Sequence, residues 1–256
     1  MLIYSPHIPH SPALLRNISR SKIAIFRKTK NAIAEIADDV YARKIESIVF
    51  ITPAGRGLAK SFAVQVARRH KINLGAIGDF HTAGEVPGNP ALAHGLVDKL
   101  CLNWPIKSAA GEELDAATSA GILQLRHKDS VWSALPVNYA LLPARELYNF
   151  GAALRDVLEV EKTRVALISL GDLSRTKEPH HAQGAAYDEE LINALKDKKT
   201  DFILDTHFTQ ADPFHVGAWR PLAVVLGALS EINYQTEILS YQQRLGVGMA
   251  VVRFVF

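Results

Sequence analysis

The sequence has 256 residues, of which 48% are hydrophobic and 21% are charged, a composition typical of a globular chain that buries a sizeable core. This composition excludes disordered, collagen-like and coiled-coil proteins. Twenty-nine basic residues against 26 acidic ones leave a formal charge of +3. That excess is too small and too evenly spread along the chain to form a nucleic-acid-binding face.

Short apolar runs bounded by turn residues alternate with longer segments of helical period, a pattern typical of an α/β domain with a buried sheet. The run 47–52, Ser-Ile-Val-Phe-Ile-Thr, is apolar without alternation, which predicts a strand covered on both faces. In chain order, the predicted strands are 2–4, 47–52, 72–76, 133–140, 164–169 and 248–256.

The predicted helices follow from apolar residues that recur at three- and four-residue spacing. Asn89 is expected to cap one of them, with Pro90 in its first turn. In chain order, the predicted helices are 21–42, 57–70, 90–101, 144–160, 188–194 and 220–230. No repeat, low-complexity tract or Gly-, Ser- or Pro-rich linker divides the chain. The sequence therefore predicts one α/β domain over 1–256, with a central, mixed, mostly buried β-sheet flanked by helices.

The cysteine content and the apolar runs bear on the cellular compartment. The single cysteine, Cys101, cannot form an internal disulfide and excludes a thiolate metal cluster, and we expect it in the core on an apolar helix face. No apolar run reaches the ~18 residues of a membrane-spanning helix. Met1 to Tyr4 runs into a proline-rich turn without a basic leader. These features predict a cytoplasmic protein with neither a membrane nor a nucleic acid as partner.

Functional groups in open α/β sheets gather in loops beyond the carboxyl ends of the strands. Such loops follow the first, second and fifth predicted strands, and two further polar segments lie late in the chain. These five segments, 5–12, 52–57, 171–175, 205–207 and 212–222, are where we expect the functional residues.

Taken in order, motifs across nearly the whole chain resemble the class III extradiol ring-cleavage dioxygenases of the LigB type, a superfamily that includes the Memo-like proteins. Ser5-Pro6-His7-Ile8-Pro9 resembles that family's opening Pro-His-Pro-Pro segment. The stretch from Gly171 to Ser174, Gly-Asp-Leu-Ser, resembles the motif that the family closes with a histidine. The other matching segments are 86–93, 135–137, 146–151, 165–170, 187–191, 220–229 and 246–251. The resemblance implies a LigB-like fold.

The resemblance also implies a ferrous ion held by two histidines and a carboxylate, with open positions for a catecholate and dioxygen. His7 matches the first ligand. The second should follow Thr52-Pro53, where this chain has Ala54, which cannot bind a metal. The third is a glutamate ahead of the Arg-Pro-Leu helix, where the chain offers His215 and Val216.

Two further positions of the family pattern are also changed. The acid/base histidine should follow Ser174, yet Arg175 stands there, and a guanidinium stays protonated at any useful pH. Another pocket histidine should follow Asp115, where the chain has Ala116. The surrounding motifs are retained while the metal-binding and acid/base residues are replaced, so no resident cofactor is expected.

Our leading hypothesis is therefore a LigB-like protein that has lost its iron site. Some families of the superfamily, such as the aminophenol dioxygenases, pair a catalytic subunit with a homologous subunit that lacks the metal. The chain resembles that second kind or a free-standing pseudoenzyme, with a homo-oligomer or a catalytic homologous subunit as partner. The alternative is an active metal-dependent oxidoreductase or hydrolase, with Fe(II) or Zn in a site rebuilt from His7, His10, His207 and His215.

A small acidic or aromatic ligand is a further possibility. Gly55-Arg56-Gly57 precedes a predicted helix and could hold an anion, with Arg175 supplying a second guanidinium. Arg175 either points into the cleft near His7 or swings out to an acidic surface residue such as Glu178 or Asp188.

Three remaining features receive plain structural interpretations. His180-His181 lies in the polar stretch 175–183 and predicts a solvated loop or lid. Ser174 lacks the surroundings of a nucleophilic serine, and no base is expected to pair with it. The late His207 and His215 are one pair among ten histidines, which is common by chance.

Overall fold

A computed structural model describes residues 1–53, 60–127, 130–205 and 214–256, without the side chains of residues 21 and 22. It confirms the predicted α/β class, because strands and helices alternate along most of the chain. The strands are β1 (Leu2–Ile8), β2 (Ser47–Thr52), β3 (Phe62–Gln65), β4 (Arg69–Lys71), β5 (Glu85–Pro87), β6 (Ile106–Ala109), β7 (Ser133–Asn138), β8 (Val165–Leu170), β9 (Gln235–Arg244) and β10 (Val247–Val255).

The helices cover both faces of the sheet. Asn89 accepts a hydrogen bond from the Leu92 N–H at 3.0 Å and Pro90 begins its helix, which confirms the predicted cap. The α-helices are α1 (Arg16–Ser19), α2 (Arg27–Ala42), α3 (Pro90–Leu100), α4 (Ala116–Leu125), α5 (Ala144–Glu159), α6 (His181–Lys196), α7 (Thr200–Leu204) and α8 (Trp219–Ala228), with 3₁₀ turns at Pro12–Leu14, Arg20–Phe26 and Gly75–Ile77.

The central sheet is mixed. Its strand order is β6-β3-β7-β2-β8-β1-β10-β9. β1, β8, β2 and β7 run parallel to their neighbours within this group, whereas β10 is antiparallel to β1 and β3 is antiparallel to β7. Every residue of β2 and β8 is buried, as the unbroken apolar run of β2 predicts for a sheet covered on both faces.

The core has two layers, one on each face of the sheet. Val49 and Ile51 of β2 pack with α3, α5 and α8, whereas Ile48 and Phe50 pack with α2 and α4. This division follows from the two-residue side-chain period of a strand.

Close contact between α5 and α8 depends on glycine. A Cβ atom at Gly151 of α5 would lie 1.9 Å from the Val224 carbonyl oxygen, and one at Gly227 of α8 would lie 1.9 Å from the Tyr148 oxygen. The two backbones can approach this closely only because neither position carries a side chain.

Two predicted elements are wrong. Within the predicted helix 57–70, whose residues 57–59 lie outside the described ranges, Phe62–Gln65 forms β3 and pairs with β6 and β7. Periodicity alone cannot distinguish a helix from a strand in a short apolar run. The pairing with β6 and β7 shows that this run is a strand. The predicted strand 72–76 is a turn instead, with a 3₁₀ helix at Gly75–Ile77 that ends at Gly78, where φ is +84°.

The placement of Cys101 also differs from the prediction. Its side chain is exposed at the end of α3, because the apolar face of that helix is formed by Leu92, Leu96 and Leu100. In the described parts of the chain, no helix has the length and hydropathy needed to cross a membrane.

Candidate functional site

Polar side chains meet where β1 and β8 end, at the carboxyl edge of the parallel strands. His7, near the end of β1, is paired in register with Ser169 of β8. The His7 ring is fully buried, and its Nδ1 lies 2.8 Å from the Ser169 hydroxyl oxygen. Burial, helped by the nearby His10, lowers the pKa of His7 to about 3, although the Gly171 carbonyl opposes the shift. His7 is therefore neutral at physiological pH.

Two imidazole nitrogens at this edge are buried without a hydrogen-bond partner in the described part of the chain: His7 Nε2 and His10 Nδ1. The His10 ring lies beside the loop ahead of α8, since a Cβ atom at Gly217 would be 3.6 Å from His10 Cε1. The structure thus brings together the two histidines that the opening motif supplies, and each has one buried ring nitrogen without a hydrogen-bond partner among the described residues.

Asp172 supplies the carboxylate nearest to these histidines. It is 2% exposed, accepts a hydrogen bond from the His10 backbone N–H at 3.1 Å and forms a 2.8 Å ion pair with Arg175 Nη2. About half of the Arg175 side chain, 53%, remains exposed. Arg175 therefore binds the aspartate of its own Gly-Asp-Leu-Ser motif. This contact differs from both expected directions of the side chain, which were into the cleft near His7 or out to Glu178 or Asp188.

Asp188 is not a surface residue, contrary to the prediction. It is fully buried in α6 and accepts hydrogen bonds from the Ser174 N–H and Oγ, each at 2.8 Å, and from the Tyr241 hydroxyl at 3.1 Å. Burial is the largest cause that raises the pKa of Asp188 to about 6, and these hydrogen bonds oppose it. Ser174 was expected to have no base beside it, and the carboxyl of Asp188 is its hydrogen-bond acceptor. Both groups are buried, and their hydrogen bonds hold the loop against α6.

A second polar group lies at the ends of β2 and β7. Asn138 donates hydrogen bonds of 2.7 Å to Thr52 Oγ1 and to the Pro53 carbonyl, and it accepts one from Gln65 at 3.4 Å. Sequence analysis missed Asn138, although a polar residue that ends an apolar strand is a recognisable signal.

An aromatic and a basic residue, also missed from sequence, extend the polar surface. Burial raises the pKa of Tyr139, and the neighbouring Arg220 opposes this shift.

Asp115 caps α4 by accepting hydrogen bonds from the Thr118 N–H at 2.9 Å and the Thr118 hydroxyl at 2.5 Å. The carboxylate ahead of Ala116 therefore has a structural role in the helix.

The remaining predicted site residues do not join this cluster. His215 is exposed, with a φ of +47°, whereas His7 is buried, and the described residues contain no group of three His, Cys, Asp or Glu side chains that would join His215 to His7 and His10. Arg56 and His207, together with Ala54, lie outside the described residues. In the stretch 175–183, residues 177–180 are exposed and non-helical, as expected for a solvated loop. His181 begins α6 instead, and its Nδ1 lies 3.0 Å from Thr176 Oγ1.

Among the described residues, the donor set does not fit an iron site of two histidines and a carboxylate. Asp172 already bonds to Arg175 and to the His10 N–H, and Asp188 is closed off by Ser174 and Tyr241. Across residues 1–53, 60–127, 130–205 and 214–256, no group of three or more His, Cys, Asp or Glu side chains could hold a metal ion. A facial iron site needs three protein ligands in one place.

Comparison with known proteins agrees with this fold. A protein of Clostridium acetobutylicum, Protein CA_C1420, is 25% identical over 274 aligned residues, covering 96% of this chain and 56% of that protein. The chain thus spans about half the length of this relative. The crystal structure of the uncharacterized protein JW3007 from Escherichia coli K12 superposes with a TM-score of 0.69 at 15% identity, covering 98% of this chain and 99% of that one, which shows a shared fold.

The motifs, the sheet and the histidines at its carboxyl edge also agree with a family assignment. Residues 4–252 match the family described as the catalytic LigB subunit of aromatic ring-opening dioxygenase. This match covers almost the whole chain, and the chain belongs to the LigB family.

Proposed function

We propose that this chain is a LigB-family protein that has lost iron-dependent ring opening and acts as a non-catalytic subunit or regulatory pseudoenzyme. The observation that carries the proposal is the 2.8 Å ion pair between Arg175 and buried Asp172. Arg175 stands where the family resemblance places the proton-transferring histidine. A guanidinium keeps its proton at any pH at which the chain folds, so it cannot serve as a general base.

The state of His7 supports the same proposal. Efficient proton transfer requires a pKa close to the working pH. With a pKa lowered to about 3, the His7 imidazole is neutral at neutral pH, so it is a weak base and carries no imidazolium proton to donate. Neither Arg175 nor His7 is therefore suited to the acid and base steps of ring cleavage.

The partner we propose is a catalytic homologous subunit or a second copy of the chain. The family is described by its catalytic subunit, which implies assemblies with more than one kind of subunit. In such an assembly, a chain that retains the LigB motifs but lacks proton-transferring groups would act as the non-catalytic subunit. Light scattering should show a species larger than one chain, or an active homologue should co-purify from the native cell; a monomer with no such homologue would contradict this part.

Iron content and oxygen uptake test the loss of chemistry. Protein purified without a histidine tag and incubated anaerobically with Fe(II) should keep less than one iron per chain. It should take up no oxygen with catechol, protocatechuate or 2-aminophenol. Arg175→His should remain inactive, because the iron ligands are still missing, and Lys177→His serves as a matched control. Stoichiometric iron with oxygen uptake on any of these substrates would contradict the proposal.

One observation favours a second candidate, a metal-dependent oxidoreductase or hydrolase with a rebuilt site. His7 Nε2 and His10 Nδ1 are buried without partners among the described residues, which is unfavourable unless something binds there. Zn or Fe(II) titrated into the protein would then bind with 1:1 stoichiometry, and His7→Ala and His10→Ala would each weaken the binding. His94→Ala, an exposed histidine on α3, is the control that should leave it unchanged.

A further inference from the structure

A cleft opens at the edge of the sheet opposite to the candidate site. It lies between the end of α2 and the chain that enters β2, β7 and β8, and its volume is about 570 Å³. That volume is within the range of small-molecule sites, roughly 300–1,000 Å³. Because β2 has six residues, the cleft is about 20 Å from the carboxyl edge that holds His7.

The walls of the cleft are apolar. Ala37, Val40 and Ile45 on the α2 side and Trp132 at the start of β7 are buried and line its interior. The rim carries Tyr41, 67% exposed, and Val131, 88% exposed, on opposite sides. Large apolar side chains are rarely left in water around a concave apolar surface unless something covers them.

The mouth of the cleft carries an excess of positive charge. Lys44, Glu46 and Arg164 line it. The Glu46 carboxylate accepts a hydrogen bond from the Arg164 N–H at 2.8 Å and lies 3.9 Å from Arg164 Nε, which it partly neutralises, so Lys44 supplies the excess charge. Arg164 Nε also donates to the Lys44 carbonyl at 2.8 Å. That bond orients the guanidinium and leaves its terminal nitrogens without a hydrogen-bond partner in the described structure. The Lys44 ammonium, unlike the Arg164 guanidinium, forms no ion pair with any described residue.

We propose that this cleft binds a small amphipathic carboxylate, an aromatic or short aliphatic body with one anionic head. The body fills the apolar interior between α2 and Trp132. The head lies at the mouth, where the Arg164 guanidinium can form paired hydrogen bonds to a carboxylate and Lys44 adds a second cation. The site is separate from the cluster of His7 and Asp172.

Binding of 1-naphthoate, measured by calorimetry, tests the proposal, with the neutral 1-naphthalenemethanol as its matched ligand. The naphthoate should bind with 1:1 stoichiometry and about tenfold more tightly than the alcohol. Tyr41→Ser combined with Val131→Ser should weaken it about tenfold without affecting folding, because both side chains are exposed. Leu102→Ser, at an equally exposed site on a different surface, should leave binding unchanged.

The charge requirement has its own variants. Lys44→Gln should weaken naphthoate binding several-fold, whereas Lys28→Gln, an exposed cation near the other end of α2, should not. Arg175→Gln should also leave binding unchanged. Absence of saturable binding, equal affinity for the alcohol, or binding that is lost in Arg175→Gln and kept in the Tyr41 and Val131 double variant would each overturn the proposal.

Discussion

Ionisation of Asp188 should make the folding stability of this protein depend on pH in a defined direction. The carboxyl is buried, and its pKa is raised from 3.8 to about 6. A raised pKa means that the folded state favours the protonated form. The contribution is thus fully present below pH 3.8 and is lost as pH rises through 6.

The size of the effect follows from the shift. About two pKa units at ~1.4 kcal/mol each give roughly 3 kcal/mol between pH 4 and pH 7.5. Asp188→Asn cannot ionise, and its amide can still accept from the Ser174 N–H and donate to the hydroxyls of Ser174 and Tyr241. The variant should therefore gain about 3 kcal/mol over the wild-type protein across this pH range.

Urea unfolding at a series of pH values measures the difference directly, since other titrating groups cancel between the two proteins. Glu190→Gln, an exposed change on the same helix, should show no such trend. A stability difference between wild type and Asp188→Asn that stays flat, or that shrinks as pH rises, would refute the reasoning.

Three other predictions test packing, capping and charge. Gly151→Ala should destabilise the protein by about 3 kcal/mol in urea unfolding because its methyl group meets the α8 backbone, whereas Gly95→Ala, with nothing within 4 Å, should stabilise helix α3 by about 0.5–1 kcal/mol. Gln242→Leu should cost about 2 kcal/mol in the same assay, since the Gln242 side chain accepts two buried hydrogen bonds in the first turn of α2; an unchanged stability would contradict that role. Sulfate should raise the Tm of the wild-type protein more than that of Arg175→Ala if the exposed part of the guanidinium holds an anion, because only the general stabilisation by sulfate remains in the variant, and Lys177→Ala should behave like the wild type.

The buried strands were predictable from sequence for a physical reason. Strands covered on both faces need continuous apolar runs, and 47–52, 133–138 and 165–170 each have one. The Asn89 cap was predictable because capping depends only on local sequence. Edge strand β9 was not predicted, because most of its positions are only partly buried and can therefore carry polar residues, which interrupt the apolar pattern of a strand.

The candidate site was less predictable, because its contacts join distant parts of the chain. His7 and His10 were found from the opening motif alone. The partner of Arg175 was not found, because the direction of a long side chain depends on which acceptor the fold brings near. Burial of Asp188 depends on Tyr241, 53 residues away, and on Ser174, which no periodicity connects to it.

The pairing of Arg175 with Asp172 gives the substituted position a structural role of its own. Asp172 is buried, and a buried carboxylate is stable in its charged form only with a cation or several donors beside it. A histidine restored at position 175 would be mostly neutral at pH 7 unless the carboxylate raised its pKa, and a protonated histidine held by Asp172 would no longer be free to transfer its proton. A histidine at position 175 would thus need a new arrangement around Asp172 before it could transfer a proton. The arginine therefore stabilises the loop conformation in which Asp172 is buried and charged.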